Sequence, residues 1–115
     1  MKQFAAASIR LYIKLPKTRE EVRVLGKQLL RSGTSVAAHT REASRARSVE
    51  EFISKIGGAI QETDESQLWL ELLRDDCGIQ NEPIDHLLRE TDELLAIFTS
   101  MVSKLRKANI ETPKH

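Results

Sequence analysis

Residues 45–52 read RARSVEEF, and the serine in their middle decides how the chain divides. Ser48 is followed three residues later by Glu51, the spacing of a capping box, in which a hydroxyl and a carboxylate satisfy the free amides that open a helix. A helix therefore starts at Ser48, and the helical pattern before it ends near Ala46. Toward the N-terminus, Pro16 in KLPKT lacks an amide proton and would clash with a preceding turn, so it separates a short first helix from the second. Thr18 and Glu21 repeat the capping-box spacing and start the second helix at residue 18. Toward the C-terminus, CGIQNEP supplies Gly78 as a helix stop and Pro83 near the start of a fourth helix. The predicted helices run over 3–15, 18–46, 49–77 and 82–108, with a polar tail at 109–115. Short connections make neighbours antiparallel, so the expected fold is all-α, an antiparallel up-down four-helix bundle forming a single domain over 1–115.

Composition agrees with that reading. A chain of 115 residues suits one hydrophobic core, and no apolar/polar alternation is long enough for a strand. No run of about 18 apolar residues reads as a membrane span. The opening MKQFAAASIRLYIKLPK lacks the apolar run and cleavage site of a signal peptide, so a cytoplasmic location without a membrane partner is expected. Cys77 stands alone, which excludes an internal disulfide, and no Cys/His spacing suits zinc. Neither a metal nor a cofactor is expected.

The net charge of +1 hides a division. Residues 1–47 hold 11 Lys/Arg against 3 Asp/Glu, while residues 48–115 hold 7 against 14. Such polarisation suits polyanion binding, and it equally suits two halves that pair with each other. On a helical wheel, Val22, Leu25, Leu29, Val36, Thr40 and Ala43 of helix two share a sector that must be buried. Arg19, Arg23, Lys27, Arg31, Arg41 and Arg45 fall roughly opposite and form a cationic stripe about 39 Å long. These six are the candidate nucleic-acid contacts. A solvated face normally mixes signs, whereas this one has only Glu20 as an internal partner. Carboxylates of helix three, a neighbouring subunit or a bound polyanion would each neutralise it.

Helix three assigns Val49, Phe52, Ile53, Ile56, Ala59, Ile60 and Leu70 to the core, which leaves Leu68, Trp69 and Leu72 on other sides. With Leu30 and Val24 of helix two, and Ile9 and Tyr12 of helix one, this is more apolar surface than one bundle can bury. Self-association is expected, with Ile9, Tyr12, Leu30, Leu68, Trp69 and Leu72 as candidate interface residues.

The succession LP, QLLRSGTSVAAHTREA, EFISKIGGAIQETDESQLWLELL and a final amphipathic helix resembles the four-helix bundle proteins first associated with intervening sequences of bacterial 23S ribosomal RNA genes. The resemblance covers residues from about 4 to 107. It places Arg31-Ser32, Arg41-Glu42, Glu62, Glu65 and Trp69 at the family's motif positions, with departures at His39, where asparagine is usual, and at Ala43, where many relatives have glycine. It implies an antiparallel bundle. By similarity to the accessory variability protein of diversity-generating retroelements, it also implies a five-membered ring whose positive surface binds nucleic acid and a reverse transcriptase.

The same residues have a mechanical reading. Gly33, Ser35, Ala37, Ala38 and Ala43 are small enough for another helix to approach closely. Arg31 and Arg41 are candidates for ion pairs with Glu62 or Glu65 across helices two and three, which leaves Arg19, Arg23, Lys27 and Arg45 as the better phosphate contacts. A catalytic reading finds little support. Glu62, Asp64, Glu65 and His39 lack the Glu-x-x-His pair of bundle metal sites, and Asp85-His86 are adjacent, so their side chains diverge on a helix. The expectation is a non-enzymatic, oligomeric bundle that binds RNA or DNA through phosphate contacts. The competing expectation is a scaffold or adaptor whose arginines are consumed by intersubunit salt bridges.

Overall fold

The computed structural model describes the backbone of residues 2–111 and the side chains as far as Ala108. Four helices follow in order, α1 (Lys2–Lys14), α2 (Glu20–Ser44), α3 (Val49–Asp75) and α4 (Glu82–Glu111), and no strand occurs among the described residues. α2 packs on α1 and α3, α3 packs on α4, and a thinner α1–α4 seam closes the circuit, with α1 and α3, and α2 and α4, diagonally opposite. The result is an antiparallel up-down four-helix bundle, a rod of 60 × 21 × 19 Å.

The core has a seven-residue rhythm. Leu15, Val22, Leu29, Val36 and Ala43 are buried at successive heptad positions running from the α1–α2 loop along α2. On α3 the buried positions alternate steps of three and four through Ile56, Ala59, Thr63, Ser66, Leu70, Leu73 and Cys77. α4 answers with Ile84, Leu87, Thr91, Leu94, Phe98 and Val102. A seam of this period is the one that left-handed, coiled-coil-like packing requires. Five buried residues carry hydroxyls, and each is satisfied without water, Ser8 by donating to the Phe4 carbonyl at 2.9 Å. Ser66 donates to the Glu62 carbonyl (2.8 Å) and lies 2.7 Å from the Ser32 hydroxyl across the α2–α3 interface. Thr63 donates to the Ala59 carbonyl at 2.7 Å, and Thr91 to the Leu88 carbonyl at 2.7 Å while accepting from Gln67 Nε2 at 3.0 Å. The apolar wheel passed over these positions. It also placed Val49 in the core, where the structure shows it exposed in the first turn of α3.

The two capping boxes have different outcomes. Ser48 accepts from the Glu51 amide at 3.0 Å and opens α3 as expected, and the Glu51 carboxylate takes the Arg47 amide at 3.4 Å rather than that of Ser48. At the start of α2 there is no box. The helix begins at Glu20, its N-cap is Arg19 in extended backbone, and no side chain caps it. Thr18 lies outside the helix because Arg19 is held elsewhere: its Nε reaches Glu21 at 2.8 Å and its Nη1 the Cys77 carbonyl at 2.9 Å. Arg19 thus ties the α1–α2 loop to the end of α3. Lys17 closes α1 by donating to the carbonyls of Tyr12 and Leu15, with its ammonium 4.5 Å from the Tyr12 ring centre. Gly78, at φ +72°, ends the α3 turn in the left-handed region, and the Asn81 side chain caps α4 by accepting from the Ile84 amide at 3.0 Å. α4 continues to Glu111, past the expected end at 108, and residues 112–115 of the predicted polar tail lie outside the described residues.

α1 is about half as long as α2, and it lies over the first part of α2 only. The approach is close. A Cβ added at Gly33 would sit 2.5 Å from Ser8 Oγ and 2.9 Å from Ser8 Cβ, so α1 packs there against bare backbone.

Candidate nucleic-acid interface

The expected cationic stripe meets two environments along α2. In the part covered by α1, the arginines are engaged. Arg19 holds Glu21 and the Cys77 carbonyl, as described above. Arg23 Nη2 reaches Glu20 at 2.6 Å, and that bond holds the Glu20 carboxyl below its ordinary range, with the charge of Arg23 adding to the effect. Lys27 is exposed and acts on Glu20 through space.

Arg31 spreads its fork over two carboxylates of α3, Nη1 to Glu62 Oε2 at 3.0 Å and Nη2 to Glu65 Oε1 at 3.2 Å. The Glu62 side chain is only 13% exposed. The Glu65 carboxyl is pushed above its ordinary range, first by a hydrogen bond shared with Glu62, then by burial and by the Glu62 charge, against the opposing pull of Arg31. Glu65 therefore holds its proton more tightly than a free carboxyl does.

Arg41 departs from the expected pairing. Both carboxylates assigned to it are occupied by Arg31, and Arg41 has no carboxylate partner among the described residues. Arg45 and the adjacent Arg47, which the wheel left out because the helix ends before it, are in the same condition. Beyond the start of α1 the flank of α2 is uncovered, and an open groove of about 980 Å³ runs along it. Lys2, Arg41, Arg45 and Arg47 line the groove over a floor that includes Ala37 and Ala38. Its two carboxylates are already committed, Glu42 to Lys55 Nζ at 3.1 Å and Glu51 to the Arg47 amide. No aromatic side chain lines it.

The same end of the rod receives charge from α4. Gln67 of α3 bonds Thr91 of α4, so in this antiparallel pair Lys104 and Lys107 come level with the first turns of α3. These cations belong to the acidic half of the chain and were invisible to a tally by halves. The signal for Arg47 was present in the spacing Arg41, Arg45, Arg47.

The candidate catalytic groups stay apart. His39 stands on Gly58, whose added Cβ would meet the ring at 2.7 Å, and its Nδ1 is buried without a hydrogen-bond partner, 3.9 Å from Glu42 Oε1. His86 pairs with Glu90 at 2.8 Å rather than with Asp85. No cluster of three His, Cys, Asp or Glu side chains suited to a metal occurs among the described residues. Among the same residues no helix is long and apolar enough to cross a membrane.

Of the expected interface residues, Ile9 and Leu68 are exposed, at 41% and 46%. Leu30, Trp69 and Leu72 are half-buried, and the Trp69 Nε1 is buried without a hydrogen-bond partner. Tyr12 is committed within the chain, packed at Gly26 with Lys17 over its ring.

The Arg31–Glu62–Glu65 bridge, with Trp69 one turn further on, brings together residues far apart in sequence, and the profile of the family described as 23S rRNA-intervening sequence protein matches residues 1–100. The chain belongs to that family. A solved structure from Bacteroides thetaiotaomicron, described as a protein of unknown function from the S23 ribosomal protein family, is similar at 36% identity. It covers 87% of this chain and 92% of its own, with a TM-score of 0.78. A comparison with curated proteins finds no match. The 23S rRNA-intervening sequence family thus accounts for the bundle, and the groove remains to be given a task.

Proposed function

We propose that this member of the family is a non-enzymatic, self-associating bundle that binds the phosphate backbone of nucleic acid at the α2–α3 end of the rod. One observation carries the reading: Arg41, Arg45 and Arg47 have no carboxylate partner among the described residues and share a groove with Lys2. Clustered, solvated cations that outnumber the carboxylates beside them raise the local potential and gain free energy by releasing counterions from a polyanion. With no aromatic lining there is no platform for base stacking, so contact is with phosphate and sequence preference is weak. The contact set moves accordingly from the whole stripe to its C-terminal part, Arg41 and Arg45 with Arg47, while Arg19, Arg23 and Arg31 serve the fold.

The test is a fluorescence-anisotropy titration of labelled RNA and DNA by the parent and two variants, R41E/R45E/R47E and R19E/R23E/K27E. About four phosphate contacts predict an affinity loss of about a hundredfold between 50 and 200 mM salt. The first variant loses binding and the second retains it. Equal binding by all three proteins, or by none, removes the proposal.

The likeness to the accessory variability protein of diversity-generating retroelements extends this reading to a homopentamer in the cytoplasm that serves a reverse transcriptase. Light scattering at five times 13.0 kDa, and co-purification with a reverse transcriptase, test those two parts separately. A scaffold or adaptor reading is favoured by a different observation, the outward Ile9, Ile13 and Leu68, and it predicts a protein partner with no salt-sensitive affinity for RNA or DNA.

A further inference from the structure

Two outward surfaces of the bundle have no partner within it, and they complement each other. The first is the outer side of α1. Lys2, Ala6, Ile9 and Ile13 recur at steps of four, three and four on the side away from the buried Phe4, Leu11 and Leu15. Ile9 is 41% exposed and Ile13 69%. Arg10 and Lys14 stand beside them, and α1 contains no acidic residue at all. The second surface is the outer side of α3, where Asp64, Leu68, Glu71 and Asp75 recur at steps of four, three and four and are all exposed; Asp75 is paired with its neighbour Arg74 at 2.6 Å, which leaves Asp64 and Glu71 as the acids open to a second copy. It adjoins the outer face of the α2–α3 pair. Val24 lies one heptad from Arg31 and Leu72 one heptad from Glu65, so the Arg31–Glu65 bridge sets the two apolar side chains side by side, level with the lower part of α3. Val24 is 45% exposed.

One surface is therefore apolar and basic, the other apolar and acidic, and each is about 17 Å long. We infer that the outer side of α1 in one copy docks on the outer side of α3, and on Val24 and Leu72 beside it, in a second copy. This specifies the self-association assumed in the reading above and is independent of its nucleic-acid part. Because the two surfaces differ, the contact is head to tail and repeats from copy to copy, closing into a ring or extending as a chain. It also gives the charge division of the sequence a physical use: the basic first helix meets the acidic third helix of a neighbour, since α1 and α3 lie diagonally opposite within one bundle. Isoleucine and leucine that are costly to leave in water are covered by the same contact, with charges of opposite sign at its rim.

A head-to-tail contact has a diagnostic in mixtures. Ile13→Glu places a carboxylate against the acidic surface and blocks only the α1 side, whereas Leu68→Lys places an ammonium against the basic surface and blocks only the α3 side. Both positions are exposed, and circular dichroism checks that each variant stays helical. By light scattering the parent runs as a multiple of 13.0 kDa, each variant alone runs at 13.0 kDa, and the equimolar mixture runs at twice that mass and no further, because one intact surface of each kind remains. A monomeric parent overturns self-association itself. An assembled parent with variants that still assemble, or a mixture that stays monomeric, overturns the assignment of these surfaces. Neither result touches the Arg41, Arg45 and Arg47 titration.

Discussion

The part of α2 beneath α1 and the part beyond it have the same stripe of cations and different uses for it. Between Glu20 and Val36, α1 lies close enough at Gly33 to touch backbone, and the arginines hold Glu20, Glu62 and Glu65. From Ala37 to Arg47 there is no helix above, α3 offers no free carboxylate to Arg41, and the guanidinium groups line open solvent. Charge spacing along one helix is therefore a poor guide to function. What matters is whether a neighbouring helix brings an acid to the same height, and in this bundle that changes within about three turns.

That contrast predicts unequal responses to substitution. The largest effect belongs to the covered part. Gly33→Val forces a branched side chain into Ser8, whose Cβ is fixed to backbone, and costs about 3 kcal/mol or more by chemical denaturation. The matching change Ala38→Val, in the exposed floor of the groove, costs a few tenths of that at most. Next come the arginines. Arg31→Ala strips the mostly buried Glu62 of its partner and lowers stability by about 1 kcal/mol, tempered by the half-exposure of Arg31, whereas Arg41→Ala leaves the melting temperature unchanged. Similar losses for both would erase the distinction. The two serine/threonine-glutamate boxes separate in the same way: Ser48→Ala costs about 1 kcal/mol and Thr18→Ala almost nothing, read as shifts of the denaturation midpoint.

The smallest effect is a pH slope. The Glu65 carboxyl is raised by its hydrogen bond with Glu62, so the folded chain binds a proton there more tightly than the unfolded one. Its contribution is present at acid pH and is lost as pH rises through the folded value. Glu20 and Glu21 are lowered and act in the opposite sense, stabilising above their unfolded value and losing that as pH falls. Glu65→Gln should flatten only the decline in melting temperature that sets in as pH rises above the ordinary carboxylate range. An unchanged profile would mean that the Glu65 carboxyl is not raised in the folded chain.

Much of this architecture was legible before any coordinate. Pro16, Ser48 with Glu51, and Gly78 mark three breaks, and the motif residues Arg31, Glu62 and Glu65 do come together. The failures have a common cause. Thr18 has the same local spacing as Ser48 but loses its cap because Arg19 is drawn to the Cys77 carbonyl, 58 residues away. Ser32, Thr63, Ser66 and Thr91 look like surface residues until the helices meet and their hydroxyls find carbonyls or each other. Lys104 and Lys107 count toward the acidic half of the chain until the antiparallel fold returns them to the basic end.

Residue order thus specifies helices, breaks and the heptad faces that join them, because capping, proline geometry and apolar period are decided within a few turns of chain. Which arginines stay open to a ligand was settled by assembly of the bundle. A guanidinium is neutralised only when folding brings a carboxylate within about 4 Å of it, and the length of α1 and the register of α3 and α4 set where that happens.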